Sequence, residues 1–360
     1  MVEFKGYALT NTDGPDAWKS LEVVSFEPKK FEEDDVELAI THCGVCGSDV
    51  HILRQGWGSV PYTPIVCGHE VVGKVTRVGS KVTEFKAGDR VGLGAVVDSC
   101  GHCRRCQSGN EQYCPEVTQT VNARHRDGTP VQGGFATAIR ANERAVFAIP
   151  DGIESKDAAS MFCGGVTVFS PMRRSNIGPG SKVGVIGIGG LGHYAILFGK
   201  ALGAEVYAFT HSPRKREDAK KLGADFVVDT GVEDFQKSYF DTLDMIISTT
   251  NVFRPGISFS TYTSMLTVNG KFVNVGLPNS DQAMPPLQAF DMLTSGAFIG
   301  GSYVGSKTDC YEMLKVAVEK GVKPWIQELP MRDYKIALEA VHNGDVRYRY
   351  VLTQDIVPVP

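Results

Sequence analysis

The chain has 360 residues, 42% hydrophobic and 22% charged, which is long enough for two domains with separate cores and too apolar for a disordered chain. Its 37 basic and 41 acidic residues leave a formal net charge of −4 with no basic block of the kind that neutralises phosphate backbones, so nucleic acid is not an expected partner. Residues 1–20 lack a charged-then-apolar leader, and the longest stretch without polar side chains, 183–192, is too short and too glycine-rich to span a bilayer. A soluble cytoplasmic protein with no membrane partner is the expectation.

From residue 4 to about 150, short β-branched runs such as 71–78 and 89–93 alternate with Gly, Pro and Asp, which predicts an all-β unit with loops. From residue 181 the texture changes. Apolar strand candidates at 182–186, 206–210, 226–229, 243–248, 271–275 and 297–301 are mostly separated by helical stretches, which predicts an α/β unit with a doubly wound parallel sheet. Two helical patterns follow, 307–320 before Gly321 and 332–343 before Gly344, each with glycine where a left-handed cap belongs. These trailing residues exceed what the sheet needs and are expected to return to the first domain.

Three motifs carry chemistry. Cys100, Cys103 and Cys106, followed by Cys114, suit a closed tetrahedral zinc site that holds a loop, although the same spacing with Pro115 also fits iron–sulfur ligation. A dispersed set follows the pattern of a catalytic metal, with Cys46 in the run 43–51, His69 in Gly68-His69-Glu70, and Cys163 before Gly164-Gly165. Three protein ligands and one open position let a substrate oxygen reach the ion. Gly187, Gly189, Gly190, Leu191 and Gly192 lie in a glycine-rich turn between a predicted strand and a predicted helix, where backbone amides can meet a pyrophosphate. At the end of the second strand of that unit, where an NAD site would want a carboxylate, stand Thr210, Ser212 and Lys215 with Arg214 and Arg216 beside them. Hydroxyl and ammonium donors at a helix start fit a 2′-phosphate, so NADP(H) is the expected coenzyme.

Taken together, the runs 44–51, 68–73 with Gly79, the four-cysteine lobe, 163–171, 187–193 and the tail 344–350 resemble the zinc-containing medium-chain dehydrogenases, within them the cinnamyl alcohol dehydrogenase branch and particularly its fungal NADP-dependent members. The resemblance implies a GroES-like catalytic domain over 1–163 that resumes over 302–360, with a Rossmann cofactor domain over 164–301 between. It implies two zinc ions per chain, one held by Cys46, His69 and Cys163 with water or Glu70 in the fourth position, the other by the lobe. Asp49 would orient His69, Ser48 and His51 would relay the proton, and Thr167, Val275, Leu277 and Ser302 fall where the family holds the nicotinamide.

The implied activity is interconversion of primary alcohols and aldehydes, aromatic such as cinnamyl or medium aliphatic, by a homodimer joined through the cofactor domain. A polyol or secondary-alcohol dehydrogenase and a non-catalytic dinucleotide sensor are the alternatives. Met161-Phe162 before the zinc cysteine, and Gly47 in place of a basic residue, depart from the family pattern.

Overall fold

In the computed structural model, which describes residues 2–253 and 257–359, the β-branched runs of the first part of the chain pair into a seven-stranded sheet. Its order is Val146–Ala148, Arg90–Leu93, Val71–Val78, Asp35–Val45, Arg349–Thr353, Ile326–Pro330, with Ala138–Asn142 also paired to Asp35–Val45. The central strand Asp35–Val45 is buried along nearly its whole length, as its run of Val, Leu, Ala and Ile requires. It belongs to a compact unit formed by Met1–Val166, Val304–Val318 and Trp325–Pro360.

Register in this sheet does most of the work of building a site. Cys43 stands opposite Val71, so the chain just before Cys46 runs beside the chain just after His69 and Glu70. On the other flank Tyr350 pairs with Val45, which brings Arg349 level with the same strand end. Ile40, Val71, Val91, Leu93, Phe135 and Leu352, all buried, form part of one core beneath these strands. Each such side chain contributes about 1.5–3 kcal/mol of burial, so the strand ends are anchored by packing and not by loop contacts alone.

The helical segment that carries Cys163 is not uniform. Ser155–Ser160 is α-helical, Met161–Gly165 widens into a π-helical turn, and Val166–Arg174 resumes as α-helix. A π-turn inserts one extra residue per turn and so re-aims the side chains in it, a device common at functional sites. Phe162 fills the space above Gly92, where a Cβ would collide with its ring. The unusual Met161-Phe162 pair is thus matched by a glycine in the facing strand.

The second unit comprises Thr167–Tyr303 and Glu319–Pro324. Six parallel strands run in the order Phe226–Asp229, Glu205–Thr210, Lys182–Ile186, Leu243–Ser248, Leu266–Asn274, Phe298–Gly301. The sequential order of strands reverses between Lys182–Ile186 and Leu243–Ser248, which is the switch point where doubly wound sheets bind ligands. One strand starts earlier than its apolar pattern predicts. Leu266 pairs with Leu243 before a register shift, and Asn269 turns left-handed at φ 68° before pairing resumes at Lys271. The polar residues of that excursion hide the strand's first residues from a hydrophobicity reading.

Candidate metal and coenzyme sites

Ligand atoms of Cys46, His69, Glu70 and Cys163, all buried, lie within 4.8 Å of one another. Each arrives on a different kind of backbone. Cys46 caps the helix Gly47–Leu53 in extended conformation, His69 and Glu70 immediately precede the strand Val71–Val78, and Cys163 sits in the π-turn. Asp49, wholly buried, ties the first two together. Its Oδ2 accepts the Cys46 N–H at 2.9 Å, its Oδ1 accepts the Gly68 N–H at 2.9 Å, and the same oxygen lies 3.1 Å from His69 Nδ1. With Nδ1 turned to a carboxylate, Nε2 is the ring nitrogen left to bind a metal.

The electrostatics fit a cation. The hydrogen bond with Cys163 holds the Cys46 thiol well below its ordinary value, and the same bond, with burial, drives Cys163 up. Burial opposes protonation of His69, but the Asp49 carboxylate and the Cys46 sulfur together outweigh it and raise the imidazole. Burial pushes Glu70 up to about 7 against the pull of Arg349. One oxygen of Glu70, Oε2, is buried with no hydrogen-bond partner among the described residues. Two sulfurs, an imidazole and an orphaned carboxylate oxygen are a donor set that binds a divalent ion by giving up protons.

Arg349 is the residue that sequence reasoning passed over. Its guanidinium, buried with Glu70, is ion-paired to Glu70 Oε1. The pair relies on Gly44, where a Cβ would collide with the Glu70 carboxylate. The available signal was a lone arginine heading the apolar strand Arg349–Thr353, since a buried cation needs a buried anion. Breaking such a pair typically costs about 3–5 kcal/mol.

Ser48 and His51 share one helix at i and i+3, the spacing that puts two side chains on one face. The Ser48 hydroxyl lies 3.6 Å from the Cys46 sulfur. His51 stacks on Trp57 with ring centroids 4.9 Å apart and planes 9° from parallel.

In the lobe, Cys100 Sγ is 3.9 Å from Cys106 Sγ, and Cys103 Sγ is 3.6 Å from Cys106 Sγ and 3.9 Å from Cys114 Sγ. A tetrahedron with zinc–sulfur bonds of about 2.3 Å has edges of about 3.8 Å, so these three separations match its edges, and all four sulfurs lie within 4.8 Å of one another. Backbone N–H groups of Cys100 and Glu116 donate to Cys114 Sγ, and that of Cys103 to Cys100 Sγ, as thiolates require.

In the second unit the glycine turn leads from Lys182–Ile186 into the helix Gly192–Ala201. Gly187 adopts φ 84°, which favours glycine, and its N–H points to the Phe209 carbonyl at 3.5 Å. A Cβ on Gly192 would strike the Gly187 carbonyl, whereas one on Gly189 would meet nothing within 4 Å. Gly190 accepts from the next turn at His193 Nδ1, 2.8 Å away, and Leu191 caps the helix.

Beside that turn, Thr210 is buried with its Oγ1 accepting the Ser212 N–H at 3.2 Å. Ser212 precedes Pro213–Lys221 without using its hydroxyl as a cap. Lys215 is lowered by burial and by Arg214, against the opposing pull of Asp218. Arg216 is committed to Asp229 at 3.0 Å. Val275 and Ser302 follow the ends of neighbouring strands, donating N–H to Ser248 and Asn274. Leu277 is exposed and Thr167 buried.

The alcohol dehydrogenase GroES-like domain matches residues 32–151, and the zinc-binding dehydrogenase family matches 190–319. NADP-dependent alcohol dehydrogenase 6 of Saccharomyces cerevisiae is 39% identical over 97% of this chain and 96% of its own. A cinnamyl alcohol dehydrogenase of Sorghum bicolor superposes with a TM-score of 0.90 at 36% identity, covering 99% of both chains. The cinnamyl alcohol dehydrogenase of Helicobacter pylori, solved with NADP(H), superposes at 0.87 with 30% identity over 98% of both chains. With the GroES-like and doubly wound units both in place, the chain belongs to the zinc-containing medium-chain dehydrogenases, among the NADP-dependent and cinnamyl alcohol dehydrogenases.

Proposed function

We propose that this chain is an NADP(H)-dependent zinc oxidoreductase that interconverts primary alcohols and aldehydes, working chiefly as an aldehyde reductase on aromatic and medium aliphatic substrates. The observation that carries the reading is the buried convergence of Cys46, His69, Glu70 and Cys163 within 4.8 Å, separate from a lobe whose four sulfurs gather at separations that suit a zinc ion. When bound, zinc supplies Lewis acidity to the substrate oxygen and NADP(H) supplies or accepts the hydride. Cys46, His69 and Cys163 hold the catalytic ion, Asp49 fixes the His69 tautomer, and Glu70 stands as an exchangeable fourth donor restrained by Arg349.

In aldehyde reduction His51 passes a proton inward and Ser48, against the Cys46 sulfur on the same helix face, delivers it to the substrate oxygen; alcohol oxidation runs the relay in reverse. The catalytic part is 1–163 with 302–360, and 164–301 is the cofactor part. There the turn from Gly187 to Gly192 receives the pyrophosphate, and Thr167, Val275, Leu277 and Ser302 hold the nicotinamide. The yeast relative's name and the Helicobacter structure's bound coenzyme support NADP(H), as does Lys215 beside Arg214 in the first turn of the helix Pro213–Lys221. We place the enzyme in the cytoplasm as a homodimer through the cofactor part. Support for the dimer comes from the edge strand Phe298–Gly301, paired on one side among the described residues, with Phe298 59% and Leu293 82% exposed nearby in sequence. No helix among the described residues is long and apolar enough to cross a membrane.

The test is initial rates with NADPH and NADH on cinnamaldehyde, benzaldehyde, medium aliphatic aldehydes and, in the oxidative direction, mannitol. Aldehydes with NADPH should win by about a hundredfold over NADH, equivalent to two charge-assisted hydrogen bonds of about 1.4 kcal/mol each. Thr210→Asp should reverse much of that margin. Equal use of both coenzymes, a preference untouched by Thr210→Asp, or mannitol as the better substrate would sink the corresponding part of the proposal.

A further inference from the structure

Beside the four sulfurs of the lobe stands a donor set that a closed four-cysteine site does not use. The Cys100 sulfur, the His102 imidazole and the Glu116 carboxylate offer ligand atoms within 4.8 Å of one another. Cys100 is buried while His102 and Glu116 are exposed, so the set runs from an inner sulfur to the surface. Both outer residues are tied to the lobe's own backbone. His102 Nδ1 lies 2.9 Å from the Cys100 carbonyl, and the Glu116 N–H donates to Cys114 Sγ at 3.3 Å.

A four-thiolate zinc is coordinatively saturated, so the ion exchanges only if an incoming donor takes a position as a sulfur leaves. Imidazole and carboxylate are zinc ligands in their own right. Arg104 and Arg105 are exposed on the same lobe and repel an approaching cation, while Glu116 supplies the opposite charge beside the Cys100 sulfur.

We propose that Cys100, His102 and Glu116 form an outer, transient coordination set through which the lobe's zinc is loaded and released, with Cys100 common to both sets. The proposal rests on the reading of the lobe as a zinc site. Because the outer set is occupied only in passage, it lowers the barrier in both directions alike and changes rates without changing affinity. A residue that merely shaped the lobe would instead alter stability or final metal content.

The experiment is exchange of zinc for cadmium in the full-length chain carrying Cys163→Ala, so that the lobe is the remaining zinc site. Sulfur-to-cadmium absorbance and metal analysis are followed in time, and the reverse exchange is run from the cadmium form. Adding His102→Ala with Glu116→Gln should slow uptake and release by the same factor, about tenfold, with final metal content and Tm as in the parent. His102→Asp, which keeps a donor, should restore part of the rate. Rates equal to the parent's, or slowing in one direction only, overturn the proposal. A parent with no lobe metal overturns it together with the zinc reading beneath it. If Cys163→Ala lowers folding yield, the same comparison is made in the otherwise wild-type enzyme, where the exchange phase unaccompanied by loss of activity reports the lobe.

Discussion

Both cysteine-rich sites belong to the β-rich unit, yet they are built on opposite plans. The lobe draws four identical donors from one loop, with Cys103 and Cys106 half-exposed, and its geometry is local enough to be read from spacing. The second site takes sulfur, nitrogen and oxygen from three segments, all of them buried: Cys43 pairing with Val71 brings Cys46 beside His69 and Glu70, and a helical turn supplies Cys163. Uniform donors saturate a metal and leave it nothing to do but hold the chain. Mixed donors, one of them a carboxylate restrained by an arginine, leave a position that can open. What separates the two plans is therefore whether the fourth donor can leave, and not that both rely on cysteine sulfur.

The widest separation between the two plans should come from deleting one cysteine in each. Cys163→Ala should leave a folded protein with only the lobe's zinc and lower kcat/KM by at least about a thousandfold, the loss of several kcal/mol of Lewis-acid stabilisation. Cys103→Ala should do the reverse. It should keep turnover per folded molecule within about threefold. Its Tm should drop by about 10 °C, equivalent to losing about 3 kcal/mol of metal-linked folding energy. Metal analysis, circular dichroism and initial rates on the two variants suffice, and active wild-type protein with a single zinc would break the comparison at its root.

A finer cut addresses what holds the dispersed set in place. Asp49 reaches two backbone amides and the His69 ring with its two oxygens, so in the proposed site it would support the metal's ligands without being one. Asp49→Asn keeps the shape but cannot accept on both sides, and should weaken the active-site zinc by about ten- to a hundredfold. Chelator competition would measure this, with the lobe's zinc as internal control. Equal weakening of both zincs would mean that the substitution acts through global stability instead.

These differences also explain what the sequence made legible. The glycine turn, the strand–helix alternation and the lobe were readable because each depends on neighbours within one loop or one strand–turn–helix unit. His69 and Cys163 could be grouped with Cys46 only as a combination of residue types and through resemblance, since nothing in their spacing from Cys46 reports a sheet register. Arg349 and Gly44 were missed for the same reason in a stronger form. One completes an ion pair 279 residues away from Glu70, and the other matters through the absence of a side chain. The π-turn at Met161–Gly165 was likewise invisible, because an extra residue in a helical turn leaves the apolar pattern almost unchanged.

The smallest effect should come from a cysteine that sits beside the active set without belonging to it. Cys43 is wholly buried, its sulfur facing the Gly44 carbonyl at 3.5 Å, and it fills the space that a Cβ on Gly68 or Gly134 would need. Burial pushes its thiol well above the ordinary range, with the Asp49 carboxylate adding to the effect, so it stays protonated and is a poor metal donor. Packing is then its whole contribution. Cys43→Ala should retain both zincs and leave turnover within about twofold. It should cost about 1–2 kcal/mol of stability, because removing a buried sulfur leaves a small void between strands that cannot close. Denaturant unfolding and metal analysis on the same preparation decide it. Loss of the active-site zinc in this variant would mean that the dispersed site draws on a fifth donor, and the contrast between a saturated lobe and an open set would have to be redrawn around Cys43.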